Sequence, residues 1–211
     1  MKAEDRLETE RTLEMRRSTG DFDGLATDVL TAYGPEIYSF LYAVHRETTD
    51  ADEVFSLFAE ALWKALPSFE GASTLRTFAY AIARRTSLRY RRDAARRRKR
   101  FGQLESAEIS NVVAEVRART ATFMRTTTRT RLSALRASLD VEDQELLMLR
   151  VDRSLPWDAL VVVLRGEDEA PLSADEQKRQ TARLRKRFQL LKDKLRELAR
   201  REGLLDLEDD G

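Results

Sequence analysis

The sequence has no cysteine, a single histidine and few residues that break helices. Its 211 residues include only 8 glycines and 4 prolines. Without cysteine there can be no disulfide scaffold, thiolate metal site or cysteine nucleophile. With His45 alone, a histidine-based metal cluster or a serine–histidine triad is poorly supported. We therefore expect no metal, no cofactor and no catalytic residue, and we predict that the protein is not an enzyme.

Long apolar runs are also missing. No stretch approaches the roughly 18 apolar residues that a membrane-spanning helix needs, and residues 1–5 (MKAED) do not resemble a secretory signal. A glycine-rich phosphate-binding loop is absent as well. We expect a cytoplasmic protein that does not insert into membranes.

The net charge of +1 conceals two strongly basic blocks. Arg84–Arg100 holds ten Lys or Arg residues and one acid, Lys178–Arg201 holds eleven and two, and each block therefore carries a charge of +9. The rest of the chain must then sum to −17. Two basic blocks on an otherwise acidic chain indicate two separate contacts with a polyanion.

Apolar residues recur at spacings of three and four, and no useful alternating pattern occurs, so we predict an all-α fold. We expect two small helical domains joined by a partly helical linker, whose only apolar cluster is Val112, Val113 and Val116. The predicted segments are a mobile leader (1–20), an N-terminal helical domain (21–92), the linker (93–131), a C-terminal helix-turn-helix domain (132–203) and an acidic tail (204–211).

Three local signals predict where helices begin or break. Gly34-Pro35 is expected to interrupt the first long helix. The side chains of Thr49 and Asp50 are expected to cap the next one. Residues 173–176 (SADE) form a capping-box sequence at the start of the last helix.

The composition of each basic block favours a different form of nucleic acid. Phe69, Phe78, Tyr80 and Tyr90 flank the first block, and cations beside aromatic rings suit unstacked single-stranded bases. A solvated helix end remains the alternative for this block. In the second block, glutamines capable of reading adenine stand among cations that suit duplex DNA. Its candidate contacts are Gln177, Arg179, Gln180, Arg183, Lys186 and Arg187.

Residues 22–92 and 132–199 together resemble a sigma factor of bacterial RNA polymerase, of the small two-domain extracytoplasmic-function type. Residues 33–41 (YGPEIYSFL) resemble the opening helix, and residues 50–54 (DADEV) with 61–66 (ALWKAL) resemble the polymerase-binding helix. Residues 69–84 (FEGASTLRTFAYAIAR) resemble the promoter-melting segment and are the most specific match. In the second half, residues 146–150 (LLMLR), 155–160 (LPWDAL) and 183–187 (RLRKR) resemble the upstream-element reader.

The resemblance implies partners and residue roles. The partners are core RNA polymerase, promoter DNA and, in some members, an anti-sigma factor. Residues implied to dock on the polymerase clamp are Asp50, Asp52 and Glu53. Residues implied to hold a flipped base are Gly71, Ala72, Ser73 and Thr74. Residues implied to line the path of the melted strand are Arg76, Tyr80, Arg84 and Arg85.

This chain also departs from the family pattern. Ser56-Leu57 stands where the family usually has Gln-Glu, and the turn before the recognition helix is longer than usual and acidic, at 167–171. Two other interpretations therefore stay open: a helical DNA-binding regulator that acts without core polymerase, and a helical protein whose basic faces bind an acidic partner.

Overall fold

A computed structural model describes residues 3–93, 110–118, 135–166 and 172–203. Within these ranges every regular element is helical and no strand occurs, so the predicted all-α fold class is confirmed. The chain divides into two compact units, one of Met1–Thr126 with Val162–Glu167 and one of Thr127–Val161 with Asp168–Gly211. The finer domain boundaries stay a prediction.

The first helix, α1 (Ala3–Thr19), lies in the segment predicted to be a mobile leader. Leu13 supplies its apolar contact and is only 2% exposed. The carboxylate of Glu10 and the guanidinium of Arg17 add polar contacts to residues far along the chain. The segment lacks an apolar stripe, so its hydrophobic pattern gave no sign that it would pack.

Three helices form the core of the first unit: α2 (Phe22–His45), α3 (Thr48–Ala65) and α4 (Leu75–Arg92). Gly34-Pro35 does not interrupt α2, contrary to prediction, because Pro35 lies within the helix on its exposed side. Proline removes one backbone hydrogen bond there and crowds the preceding turn, but the buried side chains on both sides keep α2 continuous. They include Tyr33, Ile37, Tyr38 and Phe40.

The ends of these helices differ in how they are capped. Asp21 caps α2 by accepting from the Gly24 amide. The prediction that Thr49 and Asp50 cap α3 is wrong: the helix begins at Thr48, and its N-cap residue Glu47 makes no side-chain cap. A short 3-10 turn at Leu66–Ser68 ends α3, and its Pro67 cannot continue the helix.

A further helix, α5 (110–118), belongs to the first unit. It contains the apolar cluster noted in the linker, and Val113 and Val116 are 2% and 6% exposed. The valines therefore pack within the unit and do not lie in solvent.

The second unit contains α6 (Val141–Leu147), a π-helical turn at Met148–Asp152, most of α7 (Trp157–Leu164) and the long α8 (Ala174–Arg201). The predicted capping box at Ser173 and Glu176 is confirmed by its two reciprocal hydrogen bonds. The rings of Trp157 and Phe188 meet edge to face, with centroids 5.6 Å apart, and fix α8 on α7.

Candidate nucleic-acid interface

The loop that precedes α4 is open to solvent. Gly71, Ala72 and Thr74 are exposed, and Ser73 is half-buried. Gly71 has φ +77°, a left-handed conformation that side chains with a Cβ rarely adopt. Arg17 borders the loop: its Nη1 donates to the Phe69 carbonyl at 3.3 Å, and its guanidinium lies 5.9 Å from the centre of the Phe69 ring. The loop is therefore largely exposed and lies beside a cation.

The first amides of α4 are all bonded within the protein. Glu10 accepts from the amides of Leu75 and Arg76, both at 2.9 Å, and Thr74 caps the helix by accepting from the amide of Thr77. Glu10 also accepts from the Tyr33 hydroxyl at 2.6 Å, and burial together with this carboxylate raises the pKa of Tyr33. Helix α1 thus fixes the direction in which α4 leaves the loop.

Three of the four residues predicted to line the strand path lie on the inner face of α4. Arg76 and Arg84 are 6% and 8% exposed, and Tyr80 is fully buried. Arg76 forms a two-point pair with Glu36, with Nε–Oε1 at 2.6 Å and Nη2–Oε2 at 3.0 Å. Burial lowers the pKa of Arg76, but pairing with Glu36 outweighs it and leaves that pKa above its ordinary value. These three side chains are therefore buried on the inner face of α4, and their implied role along the melted strand stays a prediction.

The outer face of α4 carries side chains that are exposed or half-buried. Phe78, Arg85, Arg89 and Arg92 recur at helical spacing and share one face. Arg89 and Arg92 are exposed, while Phe78 and Arg85 are half-buried. The ring centroids of Phe78 and Phe69 lie 4.5 Å apart. We call these four residues the α4 stripe; the site prediction named only Arg85, although the 3.6-residue period would have selected the others.

The acidic residues predicted to dock on polymerase lie on α3 and are only partly exposed. Asp52 accepts from the Tyr38 hydroxyl at 2.7 Å, and burial together with this carboxylate raises the pKa of Tyr38. The Tyr90 hydroxyl lies 2.8 Å from a carboxylate oxygen of Asp50 and 2.8 Å from one of Glu53. The three carboxylates therefore fall into two local networks: Asp50 and Glu53 meet at Tyr90, and Asp52 lies beside Tyr38.

The predicted duplex-reading residues of α8 separate into two groups. Arg179, Arg183 and Lys186 are exposed and share one face, which we call the α8 stripe. The others are less available: Gln180 is half-buried, Gln177 donates to the Asp158 carbonyl at 3.2 Å, and Arg187 forms ion pairs with carboxylates around α6. These carboxylates belong to Asp140, Glu142 and Asp143.

Several predicted features fall outside the described residues: positions 94–100 of the first basic block, the acidic turn at 167–171 and the acidic tail at 204–211. In the ranges that are described, no group of His, Asp and Glu side chains could hold a metal ion. Among the helices of those same ranges, none is both long and apolar enough to span a bilayer.

One comparison with known proteins identifies a family domain in this chain. Residues 29–97, about a third of the chain, match the family described as Sigma-70 region 2. No curated protein and no solved structure matches the chain. The matched residues begin in α2 and include all of α3 and α4, with the α4 stripe and the loop before it. The chain therefore contains a Sigma-70 region 2 domain, which supports a sigma-factor role in binding core RNA polymerase and melting promoter DNA.

Proposed function

We propose that this protein is a two-domain sigma factor of the extracytoplasmic-function type. It joins core RNA polymerase in the cytoplasm, recognises a promoter and opens its strands, and it performs no covalent chemistry itself. The observation that carries the proposal is the α4 stripe beside the exposed loop 71–74, within the region 2 match.

The α4 stripe suits a melted strand on physical grounds. Three arginines on one helix face can pair with successive phosphates, because the guanidinium fork matches phosphate oxygens. At the loop end of the stripe, Phe78 provides an aromatic surface and residues 71–74 leave space for a base. Buried side chains on the opposite face of α4 hold this face in place: those of Arg76, Tyr80 and Arg84.

The α8 stripe suits duplex DNA. Arg179, Arg183 and Lys186 lie near the start of a helix whose N-terminus is fixed by its capping box. A long, capped, basic helix fits the major groove, where side chains near its start reach base edges. We propose that this helix reads the upstream promoter element.

Polymerase binding and DNA binding separate this proposal from its alternatives. We expect the full chain to co-elute with purified core polymerase in gel filtration. Without polymerase, we expect only weak duplex binding that falls steeply with salt, because phosphate contacts release counterions. Tight duplex binding without any core binding would support an independent DNA-binding regulator. DNA binding that does not respond to salt would exclude both nucleic-acid functions.

A further inference from the structure

Helix α5 lies against a surface that α2 and α3 form together. A methyl group at Gly34 of α2 would lie 3.1 Å from Cγ2 of Val116 and 3.5 Å from Cζ of Phe55 in α3. The missing side chain at position 34 thus allows α5 to approach closely. Val113 and Val116, three residues apart on α5, are its buried residues.

Arg117, the residue after Val116, holds α5 on α3 through polar contacts. Its Nη2 donates to the Asp52 carbonyl and to the Ser56 hydroxyl, and its Nε lies 3.7 Å from Oδ1 of Asp52. Asp52 is one of the residues proposed to dock on polymerase, and Ser56 lies where this chain departs from the family pattern. The chain's own arginine therefore occupies part of the proposed docking face.

We propose that the α2–α3 face is a helix-binding surface that α5 and core polymerase occupy in turn. The α2–α3 face binds an amphipathic helix that has two apolar residues three positions apart and an arginine directly after the second, as in α5. The identity of the competing partner rests on the proposed function; the occupancy by α5 does not. When α5 is bound, the face around Asp52 and Ser56 is closed to the polymerase.

The contacts of α5 are few enough for it to bind the α2–α3 face reversibly. Its apolar anchor is two valines, and the Arg117 and Asp52 side chains are 30% and 38% exposed. An anchor of two buried valines and one partly exposed polar contact is small enough for a competing partner to displace.

The absence of native cysteine makes a direct test possible. In the double variant Gly34→Cys/Val116→Cys, the two sulfurs come within reach of a disulfide, whose Cβ atoms lie about 3.5–4.5 Å apart. We expect mild oxidation of the full chain to form this bond in high yield. The oxidised protein should bind core polymerase at least tenfold more weakly than the reduced protein, and dithiothreitol should restore binding. Each single cysteine variant controls for oxidation itself.

A second variant acts in the opposite direction. Arg117→Ala removes the polar anchor, raises the fraction of chains with an open face and should tighten core binding about fivefold. Asn111→Ala, an exposed substitution on the same helix, is the matched control and should leave core binding unchanged. If the reduced cysteine pair does not give the wild-type circular dichroism melt, Arg117→Ala decides alone, and unchanged core affinity overturns the proposal.

The outcomes separate this proposal from the proposed function. A disulfide that does not form shows that α5 does not occupy the face. A crosslinked protein that binds core polymerase as tightly as the reduced form shows that α5 does not block it, while the sigma-factor proposal stands. Failure of wild type and every variant to bind core polymerase rejects the proposed function and the competition. In that case the crosslinking yield still reports whether α5 occupies the face.

Discussion

At the scale of single residues, Glu10 makes the least expected contribution. In the sequence it lies in a charged, weakly periodic segment, and in the structure it accepts three hydrogen bonds. Two of them come from backbone amides 65 and 66 residues away. No local pattern indicates such a contact, since the amides of a helix N-terminus look the same in any sequence.

We predict that Glu10→Ala destabilises the first turn of α4. The amides of Leu75 and Arg76 would lose their acceptor, at a cost of about 1–3 kcal/mol. Hydrogen exchange at those two amides should accelerate, and urea unfolding followed through Trp63 in a Trp157→Phe background should shift to lower concentration. Glu8→Ala, an exposed change on α1, is the control and should have little effect. Unchanged exchange at both amides would contradict the capping role.

The pairing of Arg76 with Glu36 makes a second prediction at this scale. Glu36→Ala would leave a buried guanidinium without its carboxylate and should lower the free energy of unfolding by about 3–5 kcal/mol. The double variant Glu36→Met/Arg76→Met should cost less than the single change, because no unpaired charge remains buried. Urea unfolding of all variants measures this, with Glu60→Ala at an exposed pair as control. Equal losses in the single and double variants would reject the argument.

At the scale of elements, the sequence predicts where helices lie better than it predicts which of their residues are buried. The α4 helix, its Thr74 cap and most of its buried apolar residues follow from spacing and capping chemistry. The burial of Arg76 does not, because arginine is buried only where a partner neutralises it, and Glu36 lies 40 residues earlier. The candidate strand-contacting residues were therefore only partly predictable.

We predict that the α4 stripe carries single-strand binding. Arg85→Glu with Arg89→Glu should remove contacts to two phosphates, weaken binding of the melted strand by at least tenfold and reduce its salt dependence. Core binding and circular dichroism should stay as in wild type. The control reverses two exposed cations elsewhere, Arg11 and Lys64, with the same change in net charge. Equal loss of strand binding in both double variants would assign the effect to overall charge.

Asp140, the N-cap residue of α6, is expected to make the stability of the second unit depend on pH. The Asp143 amide donates to Asp140 and, with a smaller contribution from Arg187, holds the pKa of Asp140 below its ordinary value. Because the folded state lowers this pKa, its contribution to stability is present above about pH 4, the ordinary aspartate value, and is lost as pH falls through the lowered value. Asn at this position keeps the cap without titrating.

Unfolding of the second unit measures this contribution, followed through Trp157 in a Trp63→Phe background. We expect the free-energy difference between wild type and Asp140→Asn to shrink from pH 6 to pH 3, by no more than about 1 kcal/mol at so exposed a site. Asp140→Ala should cost about 1 kcal/mol at pH 6 through loss of the cap. A difference that stays constant with pH would contradict the assigned shift.

At the scale of the whole molecule, the net charge of +1 is the sum of parts with different proposed partners. The exposed cations of α4 and α8 are proposed to meet single-stranded and duplex DNA, and the carboxylates of α3 to meet polymerase. Fold class and the region 2 resemblance were predictable from helical periodicity and an ordered motif. The contacts of α1 and α5 were not, because each depends on a few residues joining distant parts of the chain.

The central claim is that the chain gives core RNA polymerase the ability to start at a promoter. Run-off transcription with purified core polymerase and genomic DNA fragments tests it most directly. We expect transcripts of defined length only when the chain and core polymerase are both present, and their loss with the Arg85→Glu/Arg89→Glu variant. If the chain binds core polymerase and DNA, yet no promoter-specific transcript appears on any fragment, the claim is contradicted.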